Sequence, residues 1–121
     1  MGEGILVDTD YLIEYVRGRK ELPPSDIYYI SEVTIYELIR GTRDPKEAKE
    51  ILENMFSVIW VDNEIIELSA RIWIDLRREG KALDDRDIVI GATAITRGLK
   101  LLTLNEKHFE RLQRYGLKLW R

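Results

Sequence analysis

The sequence predicts an α/β fold, a three-layer arrangement in which a central parallel sheet of four to five strands carries helices on both faces. Three observations lead there. Short apolar runs of no more than four or five residues alternate with stretches of helical period along the whole chain. The segments between runs are long enough for the crossover helices that parallel strands require. With 121 residues, 45% of them apolar, and no cysteine, the chain reads as one domain, 1–121, that buries a single core without disulfides or a Cys-based metal site.

Each element follows from its residues. Ile5, Leu6 and Val7 form a strand that ends at Asp8, and Leu12, Ile13 and Val16 then recur at helical spacing until Gly18. Pro23 and Pro24 mark a turn over residues 21–26, and residues 27–30 read as a second strand. Ser31 suits the N-cap of a helix with Gly41 as its terminator. Pro45 fits the first turn of a helix carrying Ala48, Ile51, Leu52 and Met55, after which residues 58–61 make a third strand. Asp62 is placed to cap a longer helix whose apolar residues Ile65, Leu68, Ile72, Trp73 and Leu76 repeat at three and four, ending at Gly80. A helix starting near Asp85 runs for two turns without a charge over residues 88–95, which makes it a packed central element, with Gly91 and Ala92 allowing close approach to the sheet. Residues 101–104 give a fourth strand, 106–114 a short helix and 117–120 a last strand.

Charge narrows the function classes. Nineteen basic residues against 22 acidic give a net charge of −3, so the molecule as a whole does not attract nucleic acid. From Arg97 onward there are seven basic residues against only Glu106 and Glu110, which is either a solvated face or a phosphate-contacting surface. No apolar run reaches the length of a membrane span or a secretory leader, so a cytoplasmic protein without membrane contact is expected.

In parallel α/β sheets, ligands gather beyond the carboxyl ends of the strands. Asp8 falls at such an end, where it either caps the following helix or faces the cleft, and Asp10 points to the same cleft or to solvent. Glu37 is an isolated charge in an apolar helix, but at 100° per residue it lies opposite the stripe of Ile35, Leu38 and Ile39, and periodicity alone turns it outward. Gly41, four residues on, leaves space beside it or simply ends the helix. Asp84, Asp85 and Asp87 surround Arg86 at the start of the uncharged helix. Capping accounts for one or two of them, whereas three so close are unfavourable unless solvated or paired with a cation. Asp87, on the first turn of the buried helix, is the one aimed inward.

Four fragments in order, ILVDTDYLIEY, ISEVTIYELIRG, DIVIGATAITRGLKLLTLN and EKHF, resemble the PIN domain, most closely the VapC-type toxin ribonucleases of toxin–antitoxin pairs. The resemblance spans essentially the whole chain. It implies a PIN-like fold whose acidic residues meet at the carboxyl end of the sheet, hold Mg²⁺ or Mn²⁺ and cleave single-stranded RNA. Asp8, Glu37 and Asp87 match the first three acidic positions, and Glu37 is thereby assigned to the cleft. At the fourth position the sequence departs, because neither Asn105 nor His108 is acidic. Asn105 retains a carbonyl that accepts from water, while His108 serves in proton transfer, touches phosphate or is structural. Thr9, Arg40 and Arg43 are candidate substrate contacts beside Asp8 and Glu37. Three Trp and six Tyr are many for one small core, so the IYY and RIW segments either form an interface between protomers or pack in the core. The resemblance further implies a homodimer or higher homo-oligomer and a small VapB-type antitoxin.

The chemistry implied is that of a hard ion, which takes oxygen ligands, keeps waters, polarises a phosphodiester and lowers the pKa of a bound water for in-line attack, leaving 5′-phosphate and 3′-hydroxyl ends. Two other readings compete with it. A receiver-like signalling domain would use Asp62 as phosphoacceptor, although the paired acids and the Lys-Pro step of such domains are missing. A phosphatase of the haloacid dehalogenase type would use Asp8 and Asp10 but lacks its later lysine motif, and a catalytically inactive PIN fold would be a binding module.

Overall fold

A computed structural model describes residues 4–25 and 27–121, so Asp26 at the end of the predicted turn and the first three residues lie outside it. The elements are β1 (Ile5–Val7), α1 (Thr9–Val16), β2 (Tyr28–Ser31), α2 (Glu32–Ile39), α3 (Pro45–Met55), β3 (Ser57–Ile59), α4 (Asn63–Arg78), α5 (Asp85–Arg97), β4 (Lys100–Leu102), α6 (Glu106–Phe109), a 3₁₀ segment (Glu110–Tyr115) and β5 (Lys118–Leu119). All five strands are parallel, in the order β3-β2-β1-β4-β5. The first three strands run outward in one direction and the last two in the other, so the chain reverses its direction of travel across the sheet between β1 and β4. That reversal opens a crevice at the carboxyl ends of the two central strands.

Alternation along β1 splits the interior into two layers. Ile5 and Val7 face Leu12, Ile30, Ile35, Leu52 and Phe56 from α1, β2, α2, α3 and the cap of α3. Leu6 faces the other way, onto Ile65, Ile72 and Leu76 of α4 and Ile88, Ile90, Ala92 and Ala94 of α5. Having helices on both faces of this sheet, the fold is of the predicted class. The α5 helix is the central packed element, buried from Asp87 through Ala94 except for Val89.

Boundaries differ from the sequence reading where polar ends take over. Helix α2 stops with Arg40 as its cap, and Gly41 keeps a negative φ, so no left-handed terminator is used there. The third strand ends at Ile59, because the Glu32 carboxylate draws off the Val61 N–H at 2.6 Å. The fourth ends at Leu102, because Thr103 turns to the cleft. The short helix is one α turn followed by the 3₁₀ segment. Gly91 serves a different neighbour from the one expected: its missing side chain makes room for Leu112 of the 3₁₀ segment rather than for the sheet. Of the two candidate interface segments, Tyr28 and Tyr29 pack against the two core layers, whereas Trp73 is 41% exposed under the Arg77 guanidinium. Among the described residues no helix is long and apolar enough to cross a membrane.

Candidate active site

Asp8 follows β1 and Thr103 follows β4, at the two strands that flank the crevice. Val7 and Leu102 are in register, and the Asp8 N–H extends the ladder to the Leu102 carbonyl at 2.9 Å. The Asp8 carboxylate is fully buried and both its oxygens are held: Oδ1 accepts from the Thr9 N–H at 2.9 Å, and Oδ2 from the Thr103 hydroxyl at 2.8 Å. It is therefore the helix cap and a wall of the cleft at once. Burial pushes its pKa up to about 6, against the lowering effect of the Thr103 hydrogen bond and with added repulsion from Asp10 and Asp87.

Glu37 faces the same cleft. Thr9 donates its hydroxyl to Glu37 Oε1 at 2.7 Å and lies 2.9 Å from the Thr34 hydroxyl. Since a hydroxyl has a single proton, Thr34 donates to Thr9 and Thr9 to Glu37, a relay that joins α1 to α2 and turns the carboxylate inward. Thr9, expected at the substrate, is thus 2% exposed and committed to Glu37.

Asp87 enters from the first turn of α5 and is 5% exposed. Its Oδ1 is buried without any hydrogen-bond donor, and burial raises its pKa against the pull of Arg86. Asp10 is the acid that takes part although the fourth family position is not acidic. Asn105 donates its side-chain N–H to Asp10 Oδ2 at 3.1 Å, so the amide steadies a carboxylate supplied by α1. His108 stands on the rim, 58% exposed, with Nδ1 4.0 Å from Asp87 Oδ2. Arg40 stacks over the exposed Tyr36 ring, and Arg43 is exposed on the loop before α3.

Arg86 is the residue that sequence reasoning passed over. Its guanidinium lies among the acids, Nε 2.8 Å from Glu37 Oε2, Nη2 3.5 Å from Asp10 Oδ1 and Nη1 3.9 Å from Asp87 Oδ1. Desolvation works against its charge, but the four carboxylates Glu37, Asp10, Asp87 and Asp8 outweigh it and hold the pKa above the ordinary arginine value.

The donor chemistry fits a hard divalent ion: the acids that line the cleft are carboxylates, one oxygen of them is buried without a hydrogen-bond donor, and two of the acids are driven toward protonation. Among the described residues no three acidic or histidine side chains are drawn close enough to coordinate one ion, since they are arranged around Arg86. Elsewhere, among the described residues, three of the seven basic residues of the C-terminal stretch are ion-paired within the molecule, Arg97 with Asp62, Arg114 with Glu79, and Arg121 with Glu106 and Glu110, and Arg111 donates to the Lys81 and Ala82 carbonyls. Asp62 accepts from the Ile65 N–H as the cap of α4, a structural duty that leaves the phosphoacceptor reading without support.

The PIN domain family model matches residues 5–115. The chain is 39% identical to ribonuclease VapC1 of Methanocaldococcus jannaschii over 96% of its own length and 86% of that protein. It is 33% identical to ribonuclease VapC1 of Rickettsia felis over 91% of each. The fold is shared with the VapBC-1 complex of Haemophilus influenzae, at a TM-score of 0.80 and 22% identity over 97% of this chain and 96% of that one. DNA-bound VapBC of Salmonella typhimurium gives a TM-score of 0.76 at 26% identity, covering 98% and 97%. With a family match over nearly the whole sequence and relatives of 39% and 33% identity that are VapC ribonucleases, the chain belongs to the PIN domain family, on its VapC-type branch.

Proposed function

We propose that the protein is a metal-dependent endoribonuclease, the toxin of a toxin–antitoxin pair, acting on RNA in the cytoplasm. The observation that carries this reading is that acids from three separate elements line one cleft: Glu37 and Asp87 both face the Arg86 guanidinium, buried Asp8 is raised in pKa in part by Asp87, and Asp87 Oδ1 is buried without a hydrogen-bond donor. These three would hold Mg²⁺ or Mn²⁺, which supplies a lowered-pKa water and neutralises phosphate charge. The chain's own residues do the rest. Thr103 and the Thr9 amide fix the Asp8 carboxylate, the Thr34–Thr9 relay fixes Glu37, and Asn105 fixes Asp10. His108, exposed at the rim beside Asp87, is positioned to meet a phosphate or a leaving oxygen, with Arg40 and Arg43 as backbone contacts further out.

Incubation of the pure protein with single-stranded RNA tests this. Cleavage should need Mg²⁺ or Mn²⁺, stop with EDTA, leave 5′-phosphate ends and fall by about a hundredfold or more in Asp8→Asn and Asp87→Asn. Products ending in 2′,3′-cyclic phosphate, or undiminished cleavage in EDTA, would reject it.

The antitoxin partner fits a different surface. Between α1, α2 and α3 lies an apolar groove of about 340 Å³ lined by Val16, Leu38, Ile39, Ile51 and Met55, with Val16 66% and Ile51 51% exposed. An apolar segment of a VapB-type protein would cover it. The homodimer is assigned to the α4 face, where Ile66 and Trp73 are exposed.

A further inference from the structure

We propose that Arg86 is a built-in counter-ion: in the metal-free protein its guanidinium neutralises the acidic cleft, and a divalent cation binds only by displacing it. This rests on the reading of the cleft as a cation site.

Three observations carry the proposal. First, Arg86 reaches the carboxylates of Glu37, Asp10 and Asp87, which come from α2, α1 and α5, so it stands within a cluster and not beside a single partner. Second, its position is electrostatically wrong for its own helix. Arg86 is in the first turn of α5, where the helix dipole disfavours a cation, so the cleft acids must supply what the helix does not. Third, it is held by charge and not by fitted geometry. Arg114 forms two parallel hydrogen bonds to Glu79, at 3.0 and 2.8 Å, the forked arrangement of a structural pair. Arg86 has no aligned hydrogen bond among the described residues, and its Nε, 2.8 Å from Glu37 Oε2, is not directed along that oxygen's approach. A partner bound by field alone can be exchanged for another cation, and the buried Asp87 Oδ1 is an acceptor that Arg86, 3.9 Å away, leaves without a hydrogen bond.

The consequence is a direct competition. Glu37 and Asp87, two of the three carboxylates a divalent ion needs, are discounted by the arginine already facing them, so metal affinity is lowered. Removing the competitor tightens the site, whereas removing an acid weakens it.

Mn²⁺ binding, followed by loss of the free-ion EPR signal, tests this on wild type, Arg86→Gln, Arg86→Lys and Asp87→Asn. Arg86→Gln should bind Mn²⁺ roughly tenfold tighter or more, Arg86→Lys should stay near wild type, and Asp87→Asn should bind far more weakly. In wild type, Mg²⁺ titration should shift the Arg86 Nε–Hε NMR resonance, a readout that stands even if Arg86→Gln fails to fold. Asp87-dependent binding in wild type, with Arg86→Gln no tighter or with the Arg86 resonance unmoved, overturns the counter-ion and leaves the metal site standing. Binding that ignores Asp87 in every variant removes the site and the counter-ion together.

Discussion

Burial is what lifts the Asp8 carboxyl to about 6, and the same burial makes its ionised form a cost to the fold. Because the folded pKa lies above the unfolded value of 3.8, the contribution of the Asp8 carboxyl to stability is fully present below pH 3.8 and is lost as the pH climbs to about 6. The loss attributable to Asp8 is on the order of 3 kcal/mol. Thermal melts of the metal-free protein should therefore show Asp8→Asn more stable than wild type at pH 7 by about 1 to 3 kcal/mol, with a flatter dependence between pH 4 and 6. A destabilised Asp8→Asn at pH 7 would contradict it. The chemistry of the cleft was legible unevenly. Asp8 and Asp87 could be placed from the strand end and the helix start alone. Glu37 could not, because its orientation is fixed by the Thr34–Thr9 relay, whose partners are 25 and 28 residues apart in sequence. The need for a cation among Asp84, Asp85 and Asp87 was visible, yet the cation was the residue between them, reaching back across the cleft.

Element identity followed from apolar period, and element ends did not, since ends are decided by individual polar contacts. The strand after Leu99 reads as apolar through Leu104, but Thr103 leaves the ladder to donate to Asp8, a choice that depends on β4 lying beside β1. Ser31 and Asp62 were legible as caps because their bonds to the Val33 and Ile65 amides are local. Gly91 shows the limit of reading a small residue as a packing signal, for the close approach is real and the neighbour is Leu112, far along the chain. Leu112 is fully buried, so it has little room to yield to an added methyl. Gly91→Ala should thus lower stability by about 1 to 3 kcal/mol in chemical denaturation, despite the gain of about 1 kcal/mol in helix propensity. A stabilised variant would show that the α5 packing against the 3₁₀ segment is loose.

Across the molecule, the crevice and the exposed apolar surfaces divide the work. The carboxyl ends of β1 and β4 gather the acids, and the parallel topology that does so was legible because crossover-length segments separate the strands. Which surfaces remain open was not legible, since the residues of the α1–α3 groove share their apolar period with the core. Co-expression with the cognate antitoxin followed by size-exclusion chromatography should find Ile51→Glu free of the antitoxin and Trp73→Glu shifted to monomer, and retention of both assemblies would contradict these assignments. The account depends above all on one ion bridging Asp8, Glu37 and Asp87. Anomalous diffraction from crystals soaked in Mn²⁺ measures that directly. The result predicted is a strong peak within about 2.5 Å of at least one oxygen of each of two of these carboxylates and within a water's reach of the third, with Arg86 withdrawn. A peak elsewhere, or none at saturating Mn²⁺ with Arg86 still among the acids, would contradict it.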